Sequence, residues 1–146
     1  MTETKEIKLS GRQILQARQQ EQAKFDAVQS MRKNLQQMLT DTMAAEDALK
    51  TLESGKNQKI LVSLGAGVYI ETKIESAKTV KTGLGSDVLV DSTTENAIKA
   101  LGKRKEEIRK DLASAQKDEA AVMHNLRQLG MAIESAKRKK AQEEKK

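Results

Sequence analysis

The stretch Lys59–Ile74, KILVSLGAGVYIETKI, alternates apolar and polar residues on either side of Gly65-Ala66-Gly67. Ile60, Val62 and Leu64 fall on one face, and Val68, Ile70 and Ile74 continue the pattern after the glycines. A period of two broken by a short glycine turn predicts a β-hairpin. A weaker hairpin is expected next, with strands over Thr79–Thr82 and Asp87–Val90 around Gly83-Leu84-Gly85. Val62, Gly65 and Gly67 match Val80, Gly83 and Gly85 at a constant offset of eighteen, so the two read as a duplicated hairpin. A lone two-stranded hairpin is marginal in water and leaves its edges unpaired. Hairpins from several chains completing one sheet would remove both problems, so oligomerisation is expected.

On both sides of this module the period changes from two to that of a helix. From about Ser10 to Glu53, residues Ile14, Ala17, Glu21, Lys24, Val28, Met31, Leu35, Met38, Thr42, Ala45, Leu49 and Leu52 recur at alternating spacings of three and four. From about Thr93 to Lys140, the same alternation runs through Ile98, Leu101, Lys105, Ile108, Leu112, Ala115, Glu119, Val122, Leu126, Leu129, Ile133 and Ala136. This is the stripe of a coiled coil. Ser10 and Gln13 fit a capping box, with Leu9 and Ile14 placed for a hydrophobic staple, and Ser92 and Glu95 suggest a second box. Lys50 and Gly55 mark the expected end of the first helix, with Gly55 as a left-handed cap. Helices on the order of 65 Å cannot bury such stripes alone. Folding back on each other would set Leu52 near Ile98, Leu35 near Ala115 and Ile14 near Ala136. The expected fold is mainly α with a small β module: an antiparallel two-helix coiled coil connected by two β-hairpins. One domain should span 1–146, with helix 1 at 10–54, hairpins at 59–91, helix 2 at 93–140 and a frayed charged tail at 141–146.

Composition agrees with that architecture. Charged residues make up 33% of the 146, and Phe25 and Tyr69 are the only aromatic residues, so any core is thin. There is no proline to interrupt a helix, and no cysteine for a disulfide or thiolate site. No apolar run approaches the length of a membrane span. MTETKEIKLSGRQ at the N-terminus lacks the apolar core of a signal peptide. An intracellular, soluble chain that does not engage membranes is expected. The formal charge of +6 is concentrated in the last ten residues, KRKKAQEEKK, which hold six basic residues against two glutamates. That is a property of a solvated tail rather than of a basic face, and specific nucleic-acid binding is not expected.

No constellation for catalysis stands out. The Gly65-Ala66-Gly67 turn leads into a strand, whereas phosphate-cradling loops lead into a helix N-terminus. His124 is the only histidine and has no second metal ligand at helical spacing. No nucleophile–base pair is visible, so the chain reads as a non-enzyme without cofactor or metal. The informative anomaly is the helix seam. Near the hairpins it is mostly apolar, but in the other half Glu21 and Lys24 fall opposite Leu129 and Leu126. Charges there should loosen the seam and leave the leucines partly wet, and Gly130 weakens the helix at the same level. Leu15, Phe25 and Met131 add apolar atoms off the stripe. Two readings stay open: ordinary fraying with stray apolar residues, or an adaptable apolar surface for non-native chains.

ILVSLGAGVYIETKI resembles the first hairpin of prefoldin alpha-class subunits, of the form I-L-V-P-[LIV]-G-A-G-x-[YF]-[VIL]. The helix–two hairpins–helix order and Asn96–Leu101, NAIKAL, extend the likeness over the chain. Ser63 stands where that pattern has proline, and KTGLGSDVLVDS places Ser86 and Asp87 where an apolar residue is more usual. The resemblance implies an α2β4 hexamer in which a second alpha copy and four beta-class subunits build a β-barrel body. It implies ATP-independent capture of unfolded polypeptides by the coiled-coil ends, and delivery to a group II chaperonin. Assembly would then fall to Ile60, Val62, Leu64, Gly65, Gly67, Val68, Ile70, Val80, Val88 and Val90. Capture would fall to Ile7, Leu9, Ile14, Leu15, Phe25, Leu126, Leu129, Met131 and Ile133. The alternatives are a structural scaffold or filament without holdase activity, a prefoldin-like subunit of another assembly, and a nucleic-acid-associated subunit using the basic tail.

Overall fold

The computed structural model describes residues 10–55, 58–83 and 88–143. In chain order it forms helix α1 (Gly11–Ser54), strands β1 (Gln58–Gly65), β2 (Val68–Ile74), β3 (Thr79–Gly83) and β4 (Leu89–Thr93), and helix α2 (Thr94–Glu143). β1 pairs antiparallel with β2, and β3 with β4, as two separate two-stranded sheets. The expected fold class is the one observed. The chain divides into a hairpin unit, Gln36–Lys110, and a terminal unit made of residues up to Leu35 and from Asp111 onward.

α1 begins as its sequence dictates. The Ser10 amide donates to Gln13 Oε1 at 2.8 Å and the Gln13 amide donates to Ser10 Oγ at 3.4 Å, closing the capping box. Leu9, the staple partner expected for Ile14, lies outside the described residues. The end of α1 differs from expectation. Gly55 does not take a left-handed conformation, and Lys50 sits a turn too early, bonded to Glu46 at 2.7 Å. Instead the Thr51 carbonyl accepts from Ser54 Oγ at 2.9 Å and from Gln58 Nε2 at 3.3 Å. A Cβ on Gly55 would meet that Gln58 side chain, so a larger residue there would make the side chain shift.

α2 is capped by Thr93 rather than Ser92. The Asn96 amide donates to Thr93 Oγ1 at 3.2 Å, and Glu95 lies in the first turn. The buried Thr94 ties the helix start to the segment between the hairpins: its hydroxyl donates to the Ala77 carbonyl, and its amide to the Lys78 carbonyl at 3.1 Å.

The seam of α2 follows the expected stripe from Ile98 to Ile133, and Ala136 is exposed. Ile108 and Ala115 are buried at stripe positions, and Ala97 beside it. The seam of α1 departs from expectation at four positions. Phe25, Arg32, Leu39 and Glu46 turn inward, and Lys24, Met31, Met38 and Ala45 are exposed. The cause is charge pairing. Lys105 and Glu119 occupy the α2 seam, and an ion left unpaired there is costly. Glu46 reaches Lys105 at 2.5 Å in the hairpin unit, and Arg32 pairs with Glu119 in the terminal unit. The partners are fourteen residues apart on each helix, two heptads in both. Rotating α1 to bury Met38 and Ala45 would break these pairs. Thr42 is buried beside them and satisfies its hydroxyl on the Met38 carbonyl at 2.7 Å.

Candidate functional site

In the hairpin unit, the Gly65–Gly67 turn is set by three consecutive positive φ values, 95° at Gly65, 49° at Ala66 and 78° at Gly67. Positive φ at both central residues is the hairpin-matched turn geometry. The ladder runs from Gln58↔Ile74 to Ser63↔Tyr69 and resumes at Gly65↔Val68. Leu64 is therefore the extra residue of a bulge, without a ladder partner, and the expected Ile60–Val62–Leu64 face stops at Val62. The paired residues Ile60/Thr72 and Val62/Ile70 share one face, and Leu61/Glu71 and Ser63/Tyr69 share the other.

Both faces carry apolar atoms, and both are open. Leu61 is 70% exposed, and Leu64, Val68, Tyr69 and Ile70 are at least half exposed. Leu61 and Tyr69 are surface residues that sequence reasoning missed. The signal was present in the alternation itself, whose second face holds Leu61 and Tyr69 among polar residues. In the second hairpin, Val80 and Val90 share a half-buried face with Thr82 and Ser92, and Val88 and Leu89 are exposed. β4 starts at Leu89, and residues 84–87 of the expected turn and strand lie outside the described residues. The opposite face of this hairpin carries Lys81 bonded to Asp91 at 2.7 Å, with the exposed Leu89 beside them.

In the terminal unit, Ile14, Leu15, Ile133 and Ala136 line a groove of about 230 Å³ with Gly11, Lys137 and Lys140. Leu15 and Met131 are more than half exposed, as expected, and Ile14, Ile133, Leu126 and Leu129 are half-buried. Phe25, expected on the open surface, is half-buried in the seam where Lys24 was placed. Ile7 and Leu9 lie outside the described residues. The expected loosening charges separate. Glu21 stays in the seam, and Lys24 lies outside it and bonds Glu21 at 2.6 Å. Asn125 donates to the other Glu21 oxygen at 3.2 Å. These two bonds, that from Lys24 first, hold the Glu21 carboxyl below its ordinary range. Ala17, Gln20, Asn125 and Leu129 surround it in a shallow hollow.

The strongest electrostatic site is Glu46. Hydrogen bonds from Lys105 and then Lys50 lower its carboxyl from the ordinary 4.5 to about 2. It pairs across the helix seam with Lys105. Among the described residues, no group of three or more histidine, cysteine or carboxylate side chains is placed to hold a metal, and no helix is long and apolar enough to cross a membrane.

A coiled coil carrying two hairpins that cannot cover their own apolar faces is an assembly subunit. The family model for prefoldin subunits matches residues 12–139. Among curated proteins, prefoldin subunit alpha of Thermofilum pendens is 30% identical over 99 residues, 67% of this chain and 77% of its own length. Prefoldin subunit alpha of Nitrosopumilus maritimus is 27% identical over 111 residues, 74% of this chain and 77% of its own length. Among solved structures, the filamentous PFD of Methanocaldococcus jannaschii superposes with a TM-score of 0.67 at 17% identity, covering 80% of this chain and 98% of that one. The prefoldin beta subunit of Thermococcus strain KS-1 gives 0.59 at 17% identity, covering 86% and 90%. The chain belongs to the prefoldin subunit family, in its alpha class. It is thus a chaperone subunit, and membership implies assembly with other prefoldin subunits.

Proposed function

We propose that this chain is the alpha subunit of an α2β4 prefoldin hexamer that holds unfolded polypeptides without nucleotide and passes them to a group II chaperonin. The observation that carries the reading is the groove formed by Ile14, Leu15, Ile133 and Ala136, apolar surface left open in a helix pair that is otherwise highly charged. Leu126, Leu129, Met131 and Phe25 extend the same apolar character along the terminal unit, and methionine adapts to many shapes. Ile7 and Leu9 precede the groove in sequence and belong to the same proposed surface. Assembly is assigned to the hairpins: Ile60, Val62, Leu64, Val68, Ile70, Val80, Val88 and Val90 supply the apolar faces, and Gly65 and Gly67 the turn. The cytoplasm is the proposed compartment.

The test is light scattering from a denatured, aggregating protein, with and without the complex containing this chain, in the absence of nucleotide. Suppression is expected, and serine at Leu126, Leu129 and Met131 should weaken it while the native mass stays unchanged. No suppression by the intact complex overturns the holdase reading. Likeness to the filamentous PFD of M. jannaschii favours a second reading, in which copies polymerise. Native mass separates the two, because a hexamer has one mass and a filament a ladder of masses.

A further inference from the structure

The groove in the terminal unit has a charged rim that the holdase reading does not use. Residues 10–20 and 126–140 together hold seven lysines and arginines against one glutamate, Glu134. Arg138 bonds Glu134 at 2.6 Å, so the one acidic group is already engaged. Lys137 and Lys140 line the groove itself, and both are exposed. The expected end of helix 2 is 140, and the charge of the last ten residues reads as that of a solvated tail. α2 continues to Glu143, and Lys137 and Lys140 lie beside Ile133, Ala136 and Ile14.

We propose that this groove selects acidic–apolar segments of unfolded polypeptides: apolar side chains flanked by aspartate or glutamate. The proposal rests on the holdase reading and specifies its client class. An apolar floor alone accepts any aliphatic segment, because the hydrophobic effect is non-directional. Cations at its edge add a sign. A flanking carboxylate meets complementary potential, whereas a flanking lysine meets like charge. The field also steers encounter, so the preference must weaken as salt screens it.

The test uses the complex containing this chain and two labelled peptides with the same aliphatic residues, one flanked by glutamates and the other by lysines. Binding is read by fluorescence anisotropy at low and high salt. The glutamate peptide should bind on the order of ten-fold more tightly at low salt, and the gap should narrow at high salt. Lys137→Glu with Lys140→Glu should reverse the order at unchanged native mass. Lys137→Gln with Lys140→Gln, which adds no repulsion, should narrow the preference, with the glutamate peptide losing more affinity than the lysine peptide. Equal affinities for both peptides, or a preference unmoved by either variant, overturn the charge selection but leave the holdase reading intact. Failure of both peptides to bind overturns both.

Discussion

Glu46 and Lys105 show how one residue pair decides a helix face. Glu46 is buried, and its carboxyl is held at about 2 instead of 4.5 by Lys105 and Lys50. The folded state therefore favours the ionised form. Its contribution is complete above the ordinary carboxylate value and is lost as pH falls through the folded value of about 2. Thermal melts of wild type and Glu46→Gln should differ at neutral pH, with wild type the more stable, and converge as acid protonates Glu46. A constant gap across that window would contradict the pairing. The hairpin turn gives a second prediction. Ala66 holds φ at 49°, which L residues adopt at a cost of roughly 1–2 kcal/mol. Ala66→Gly should stabilise the hairpin by up to about 1 kcal/mol, and Gly67→Val should destabilise it, read by hydrogen exchange of the β1 and β2 amides.

At the scale of the element, the two seams were unequally legible. α2 keeps its pattern because its inward residues are mostly aliphatic, and single-helix periodicity suffices. In α1, Met31, Met38 and Ala45 imitate an inward stripe, yet Arg32, Leu39 and Glu46 one residue later are the ones turned inward. The matching charges on the other helix, fourteen residues apart on both, support the choice, and within α1 the apolar Phe25 and Leu39 point the same way. The turns were legible from Gly65 and Gly67, and the Ser10–Gln13 box from its spacing, because those signals are local. The expected cap Ser92 was displaced by its neighbour Thr93, whose Oγ1 accepts from the Asn96 amide. Truncations test the assignment. Ile108→Ala, at a position 4% exposed, should cost about 2–5 kcal/mol. Leu39→Ala should cost more than Met38→Ala, which should stay within about 0.5 kcal/mol. Denaturant melts in which Met38→Ala proved the costlier would restore the rejected face.

For the whole molecule, the functional conclusion depends on which apolar surfaces the chain leaves open. Both faces of the first hairpin are uncovered, so the proposed assembly would need a neighbour on each face. Leu61→Lys with Tyr69→Lys should lower the native mass of the complex but preserve the helical signal of the chain. Intact assembly would show that this face remains in water. The open apolar faces of the first hairpin, where assembly is proposed, were partly legible from its alternation, which gave Ile60, Val62, Val68 and Ile70 but not Leu61 and Tyr69. The groove was legible in Ile14, Leu15 and Ile133, but its basic rim was not, because a cluster of lysines beyond the last stripe residue has no visible neighbour until α1 is set beside it.

The central claim is a division of labour, with the terminal unit capturing clients and the hairpins joining subunits. Site-specific photo-crosslinking measures it most directly. A photoreactive residue at Leu15 in the assembled complex should label a denatured client and not partner subunits, whereas the same residue at Tyr69 should label partner subunits and not the client. Client captured at Tyr69 and absent from Leu15 would contradict the account.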